Sequence, residues 1–326
     1  MDNQLISLQL QKPQAVVKAQ EAQKGLNWFL EILIFLAVFV VSSIGQVLVM
    51  LPGELILLAQ NADYRSAAAA GDIEAAAAAA AQIGSSDLYM VFSLFATIGM
   101  TVVVILFCRL IQKRKPDTLG FIKSGMGKEY LIGLVVGFVM FSSAVLICVA
   151  AGAIKIEGFS ETFSIGMFIL FLLGFMLQGM AEEVLCRGYV MVSIARRYSM
   201  WTAVISNAVI FAALHLLNNG ISVPAFINLV LFGVFASLYF VKKGNIWGVA
   251  AVHSVWNLVQ GNFWGLRVSG MAADCSVLRS TMVEGRELLN GGAFGPEGGL
   301  GVSVVLIVGI CVLLRKKKEA GRDMNV

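Results

Sequence analysis

Eight apolar runs, most of them long enough to cross a lipid bilayer, constrain this chain more than any other feature of its sequence. About 20 apolar residues span the roughly 30 Å hydrocarbon core of a membrane. The sequence therefore predicts an all-α fold, a polytopic membrane bundle of about eight transmembrane helices. The runs lie at approximately 28–51, 88–110, 131–154, 163–191, 200–217, 223–241, 246–264 and 298–314.

The overall composition agrees with a membrane protein. Of the 326 residues, 58% are hydrophobic and 13% are charged, and the mean hydropathy is +0.83. A water-soluble core of this size cannot bury so much apolar surface, so the composition argues against a soluble enzyme. The net charge of +4 is small and dispersed along the chain, so we expect no nucleic-acid partner.

The charge of the segments between the runs alternates in sign. Residues 52–87 carry a net charge of −4, 109–130 carry +4, 265–297 carry −1 and 315–326 carry +3. Lysine and arginine are retained on the cytoplasmic side of membrane proteins. This pattern predicts that both termini are cytoplasmic and that the number of spans is even.

The same pattern divides the chain into four segments. Residues 1–27 form a cytoplasmic N-terminal segment. Residues 28–154 hold the first membrane helices and an alanine-rich extracytoplasmic loop at 52–87, whose alanine tracts can form a helix. Residues 155–264 form the central membrane segment, and 265–326 contain an extracytoplasmic loop, the last membrane helix and a basic cytoplasmic tail. The first apolar run is too long and too far from the start for a cleavable signal peptide.

Few ionisable residues fall inside the apolar runs, and each costs on the order of 2.5–3.5 kcal/mol at a helix centre. Glu31 is three residues inside the first run, so we expect it at the membrane edge, within reach of the headgroups. Glu183 and Arg187 are four residues apart and share a helix face, where they can form an ion pair. Glu182 points about 100° away from that face and has no cation near it in sequence.

The chain has only two histidines, and both lie in apolar runs. His215 follows Phe211 by four residues, and His253 precedes Asn257 by four. Peptide hydrolysis requires an activated water, a stabilised oxyanion and a proton for the leaving amine. A carboxylate and an imidazole can activate the water, while a second imidazole and an amide can donate hydrogen bonds to the oxyanion.

Other mechanisms use different residue patterns. Zinc could instead bind to Glu182, His215 and His253 and lower the pKa of its bound water to roughly 7. The residue types leave the zinc and metal-free mechanisms open. The sequence contains no HExxH zinc motif, no GxSxG serine motif and no pair of aspartates within the runs.

Three motifs occur in order on successive runs: EExxxR at Glu182, Glu183 and Arg187, FxxxH at Phe211 and His215, and HxxxN at His253 and Asn257. Together they resemble the CPBP family of intramembrane proteases. This family includes the type II CAAX prenyl endopeptidases and the bacterial Abi proteins of bacteriocin processing and immunity. The resemblance covers about 163–264 and implies that the segment 155–264 is the catalytic membrane core.

The resemblance implies an eight-helix bundle with a cavity that opens to the cytoplasm. In that arrangement, Glu182 and His215 activate water and His253 and Asn257 form the oxyanion site. Glu183, Arg187 and Phe211 act as supporting residues. Family members are described both as metalloproteases and as glutamate-dependent proteases, so the resemblance leaves zinc as an open cofactor.

We therefore expect an intramembrane endopeptidase, in the cell membrane of a bacterium, that acts on membrane-associated proteins or peptide precursors. CAAX-type, bacteriocin and signal-peptide processing all fit, with the substrate arriving from the membrane or the cytoplasm. One alternative is a scaffold or immunity protein without proteolytic activity. A second is a proton-coupled transporter that uses Glu182, His215 and His253 as a relay.

The span boundaries put Glu182 near the cytoplasmic end of the fourth run and His215 near the outer end of the fifth. Side chains placed in this way cannot meet. We predict that the fourth helix extends to about Val192 and the fifth starts near Ala203, so that both side chains lie near mid-depth.

Overall fold

The computed structural model describes residues 10–315, most of which are helical. The first nine residues and the basic tail at 316–326 lie outside this range. Within it, the α-helices in chain order are α1 (Gln14–Ala22), α2 (Trp28–Gln60), α3 (Ala62–Ala70), α4 (Ile73–Gly84), α5 (Asp87–Leu106), α6 (Met126–Ala150), α7 (Ile165–Glu183), α8 (Val192–Ala195), α9 (Met200–Ala213), α10 (Val223–Lys243), α11 (Trp247–Leu258), α12 (Glu287–Asn290) and α13 (Leu300–Leu314).

Five apolar helical segments of the described chain are long enough to cross a membrane. The shorter apolar helices α9 and α13 fall below that length. The expectation of a helical membrane bundle is therefore confirmed, whereas the count of eight spans stays a prediction. The five segments are Trp28–Gln60, Asp87–Ile111, Met126–Ala150, Ile165–Ala195 and Val223–Lys243.

The expectation of an all-α fold is wrong at one end of the bundle. There, β1 (Ile154–Phe159) pairs with β2 (Leu278–Met282) in an antiparallel sheet that is irregular between Ile156 and Gly158. The third run was expected to remain helical to residue 154, but α6 stops at Ala150. The sheet fixes the long loop 265–297 to the connection between α6 and α7.

The two ends of the bundle differ in charge. The basic end contains the connections 112–125, 196–199 and 244–246 together with α1, and it holds a high density of lysine and arginine. The acidic end contains 61–86, 151–164, 214–222 and 264–299. It includes α3 and α4, which form two helices in the alanine-rich loop where a single helix was expected.

At the basic end, α1 is attached to the bundle through polar contacts. Lys12 Nζ donates to the carbonyl oxygen of Ala195 at 2.6 Å, and Gln20 Nε2 donates to that of Arg196 at 2.7 Å. Burial lowers the pKa of Lys12. Lys18 and Asp117 form a more exposed ion pair at 2.6 Å.

Glu31 lies beneath α1 in a buried ion pair. Arg196 Nη2 donates to Glu31 Oε1 at 3.0 Å, and each side chain is 1% exposed. The backbone N–H of Leu26 donates to the same oxygen at 3.0 Å. The expectation that Glu31 reaches the lipid headgroups is therefore wrong, because the end of α8 brings Arg196 against the start of α2.

We predict that Glu31→Ala lowers the free energy of unfolding by about 3–5 kcal/mol, because it leaves Arg196 charged and buried without a partner. The double variant Glu31→Leu/Arg196→Met should recover most of this loss, since it removes both charges. Chemical unfolding in detergent micelles measures the difference. Asp117→Asn, in the exposed pair with Lys18, is the matched control and should cost about 1 kcal/mol or less. A loss in Glu31→Ala no greater than in Asp117→Asn would contradict the prediction.

Candidate active site

The two adjacent glutamates occupy the end of α7, where the helix changes its winding. A π-helical segment, Val184–Met191, follows Glu183 and continues into α8. Such segments often occur at functional sites and shift the side chains that follow them around the helix axis. The fourth helix therefore extends to Ala195, beyond the predicted Val192, and Glu182 lies well inside it.

Arg114 supports this π-helical segment from the connection between α5 and α6. Its Nη2 donates to the carbonyl oxygen of Gly188 at 2.9 Å, and its Nη1 donates to Ser193 Oγ at 3.1 Å. The side chain is fully buried, and burial lowers the pKa of Arg114 to about 10. Arg114 thus satisfies a carbonyl group in a segment where the regular helical hydrogen-bond pattern is interrupted.

The fifth helix is shorter than expected. It begins at Met200 rather than near Ala203 and ends at Ala213, so His215 lies in the turn that follows. The Nδ1 atom of His215 is 2.8 Å from the carbonyl oxygen of Phe211. Because a carbonyl oxygen only accepts hydrogen bonds, Nδ1 carries the proton, and Nε2 of the neutral ring has a free lone pair.

Glu183, Arg187 and His253 form a buried polar cluster. Arg187 Nη1 donates to Glu183 Oε1 at 2.8 Å, as the spacing predicted, and both side chains are fully buried. His253 Nδ1 is 2.9 Å from the same carboxylate oxygen. This carboxylate therefore fixes the orientation of the His253 ring, whose Nε2 lies 3.7 Å from Glu182 Oε2.

Aromatic rings hold both imidazoles in place. The Phe211 ring centroid is 4.8 Å from that of His215 and 5.9 Å from that of His253. Phe232 packs on His253 with a centroid distance of 5.0 Å. Arg187 Cζ lies 4.7 Å from the Phe211 centroid, in a cation–π contact. Phe211 therefore contacts side chains from all three motifs.

Gln178 connects two of the predicted site residues, and the sequence reasoning missed it. Its Nε2 donates to Glu182 Oε1, and its Oε1 accepts a hydrogen bond from Asn257 Nδ2 at 3.0 Å. Among the helical neighbours of Glu182, only cations were considered as partners. A sequence signal was present, because Gln178 precedes Glu182 by four residues and so shares its helix face.

The predicted residues Glu182, His215, His253 and Asn257 all line one cavity of about 270 Å³. Its other walls include α2, α5 and the 265–297 loop, to which the sequence reasoning assigned no function. Several polar side chains there could be recognised only from the tertiary structure. They are Gln46 of α2, Ser93 and Thr97 of α5, Asn218, Asn228 of α10, Ser269 and Glu297.

The cavity lies in the half of the bundle toward the acidic end. Asn218, Ser269 and Glu297 belong to the connections at that end, and no lining residue belongs to the connections of the basic end. With a cytoplasmic basic end, the cavity lies in the half of the bundle farther from the cytoplasm. This position does not favour the expected opening to the cytoplasm.

Three of the cavity residues, Glu182, His215 and His253, were expected as zinc ligands. Within 10–315, no group of three or more His, Cys, Asp and Glu side chains is placed to hold a metal ion. Glu182 Oε2 and His253 Nε2 are 3.7 Å apart, and His215 Nδ1 faces a carbonyl oxygen, which leaves its Nε2 free. The zinc ligand set stays a prediction, and we derive no step through zinc.

Residues 164–259 match the family model described as type II CAAX prenyl endopeptidase Rce1-like. This part of the chain, called the Rce1-like segment below, is similar to that family. The Rce1-like segment contains all three motifs, so the resemblance to this protease family is confirmed and supports assignment as a membrane hydrolase. The walls contributed by α2, α5 and the 265–297 loop lie outside it. Searches of curated proteins and of solved structures gave no significant match.

We predict that both histidines carry a proton on Nδ1, because each Nδ1 faces an oxygen acceptor. Long-range ¹H–¹⁵N correlation spectra of histidine-labelled protein report the tautomer of each ring. Because the chain has two histidines, the signals that disappear in His215→Gln belong to His215 and the remaining ones to His253. Glu183→Gln should shift the His253 signals and leave those of His215 unchanged. An Nε2-protonated neutral His215 ring would contradict the geometry described above.

Proposed function

We propose that this protein is an intramembrane endopeptidase that hydrolyses peptide bonds with a water activated by Glu182 and His215. One observation carries the proposal. Three distant segments of the chain bring a half-buried carboxylate, two oriented imidazoles and a carboxamide to the same cavity. The match to a protease family supports this assignment.

Activation of the water begins with Glu182. The hydrogen bond from Gln178 holds one carboxylate oxygen, which leaves the other to accept a proton from water. His215 presents Nε2, whose lone pair can accept a second hydrogen bond from the same water. Two acceptors aimed at one water raise its nucleophilicity and direct its oxygen toward a carbonyl carbon.

Stabilisation of the oxyanion falls to His253 and Asn257. The Asn257 amide has a second N–H beyond the one that Gln178 accepts, and a protonated His253 ring can donate from Nε2. Glu182 and Glu183, on either side of His253, stabilise that positive charge. Glu182 then transfers the proton taken from water to the amine as the C–N bond breaks, so that each cleaved peptide bond consumes one water and no other co-reactant.

The charge distribution supports an orientation for this site. With the basic end in the cytoplasm, both termini are cytoplasmic and the cavity faces the opposite side. Substrates then reach the cavity laterally from the membrane or from the extracytoplasmic side. The class of substrate we propose is a membrane-associated protein or peptide precursor.

Glu182→Ala should abolish cleavage, with a loss of at least about 100-fold in kcat/KM, because it removes the general base. Purified protein is incubated with a peptide library, with and without a chelator, and the products are read by mass spectrometry. Glu161→Ala, an exposed carboxylate just before α7, is the matched control and should retain full activity. Equal cleavage by the Glu182→Ala variant would contradict the mechanism.

The orientation is tested by cysteine labelling in intact cells, in a background in which the native cysteines are replaced. Ala272→Cys, exposed at the acidic end, should react with a membrane-impermeant maleimide in intact cells. Lys115→Cys, exposed at the basic end, should react only after permeabilisation. The reverse pattern would place the cavity on the cytoplasmic side.

A further inference from the structure

The cavity has a second carboxylate, Glu297, which the mechanism above does not use. Glu297 lies in a short helical turn just before α13 and is 9% exposed. Its Oε2 accepts hydrogen bonds from the backbone N–H of Ser269 at 2.9 Å and from Ser269 Oγ at 2.8 Å. Oε1 accepts one long hydrogen bond, from Trp256 Nε1 at 3.3 Å.

These contacts hold the Glu297 side chain without neutralising it. Ser269 and Trp256 are uncharged donors, and among residues 10–315 Glu297 has no ion-pair partner. Oε1 has one acceptor position beyond the bond to Trp256. A carboxylate that is nine-tenths buried and oriented by neutral groups binds a cation strongly, because little solvent screens the charge.

The rest of the cavity wall strengthens this preference for positive charge. Its acidic groups are Glu182 and Glu297, and none of its lining residues is lysine or arginine. The guanidinium of Arg187 is already bound to Glu183 behind the wall. A peptide carboxylate would be repelled in this cavity, whereas an ammonium or guanidinium group would be attracted.

Helix α11 connects Glu297 to the reacting groups. His253 and Trp256 lie three residues apart on this helix, and both line the cavity. The indole Nε1 of Trp256 donates to Glu297 Oε1. A peptide whose scissile bond lies beside His253 therefore has Glu297 on the wall of the same cavity.

Building on the proposed function, we infer that Glu297 determines substrate specificity by binding a cationic group of the substrate near the scissile bond. The substrate class is a peptide segment with a lysine, an arginine or a free amino terminus near the cleavage point. Glu297 belongs to the loop outside the Rce1-like segment, so this preference is a feature that this chain adds to the matched core.

The test measures binding in the Glu182→Ala background, where Glu297 is the one carboxylate left in the cavity wall. The probes are short fluorescent peptides, capped at both ends, that differ only in a central Lys, Met or Glu. Fluorescence anisotropy is recorded in nanodiscs of uncharged lipid. The Lys probe should bind about tenfold more tightly than the Met probe, the effect of one charge-assisted hydrogen bond.

Adding Glu297→Gln should reduce the Lys-to-Met ratio to about one, whereas Glu297→Asp should retain part of the preference because it keeps the charge. Glu284→Gln is the matched control, an exposed carboxylate on the same loop, and should leave the ratio unchanged. Thermal unfolding midpoints show whether each variant remains folded.

Equal binding of the Lys and Met probes, or a Lys preference that survives Glu297→Gln, would overturn the inference. Because binding is measured without cleavage, this result is independent of the proposed enzyme activity. Cleavage by the wild type with no Lys preference would remove the role of Glu297 and leave the protease intact.

Discussion

The high energetic cost of burying charge among apolar helices governs the organisation of this protein. Glu183 and Arg187 are fully buried, and each compensates the charge of the other while Glu183 also orients His253. Removing one member of such a pair leaves an uncompensated charge, which is far more costly than removing both. The cluster therefore fixes the relative positions of α7 and α11, and with them the reactive groups that line the cavity.

The winding of the fourth helix connects this cluster to the basic end. The π-helical segment after Glu183 interrupts the regular hydrogen-bond pattern, and Arg114 satisfies the carbonyl group of Gly188 from a distant connection. At the same end, Arg196 pairs with Glu31 and holds the start of α2. Two buried arginines thus anchor the side of the bundle opposite the cavity, which leaves the acidic end to form the cavity wall.

The cavity has two kinds of wall. The proposed catalytic groups come from the segment that matches the protease family, whereas Gln46, Ser93, Ser269 and Glu297 come from segments outside it. In the function that we propose, this division separates the chemistry from the recognition of the substrate. The loop 265–297, held by the β1–β2 sheet and by Glu297, is the part of the wall nearest the acidic end. The charge it contributes is the basis for the substrate preference that we infer.

The sequence by itself determined that the chain is a helical membrane protein, where most apolar helices lie, and which ionisable residues belong together. It could do so because helical periodicity and the cost of charge in lipid act locally, as in the Glu183–Arg187 pair. The position of His215 along the membrane normal depends on the end of α9 at Ala213. The position of Glu182 depends on the π-helical segment that follows it. Neither feature can be recognised from the residues around it.

Only the tertiary structure decided that Glu31 is buried against Arg196, that Gln178 bridges Glu182 and Asn257, and that Glu297 faces the catalytic cavity. The positions of Glu31 and Glu297 depend on how distant segments of the chain pack together. Gln178 is close to Glu182 in sequence but is uncharged, so reasoning from charge did not find it. The strands β1 and β2 likewise form because two distant segments meet at the acidic end. Periodicity within either segment could not specify that pairing.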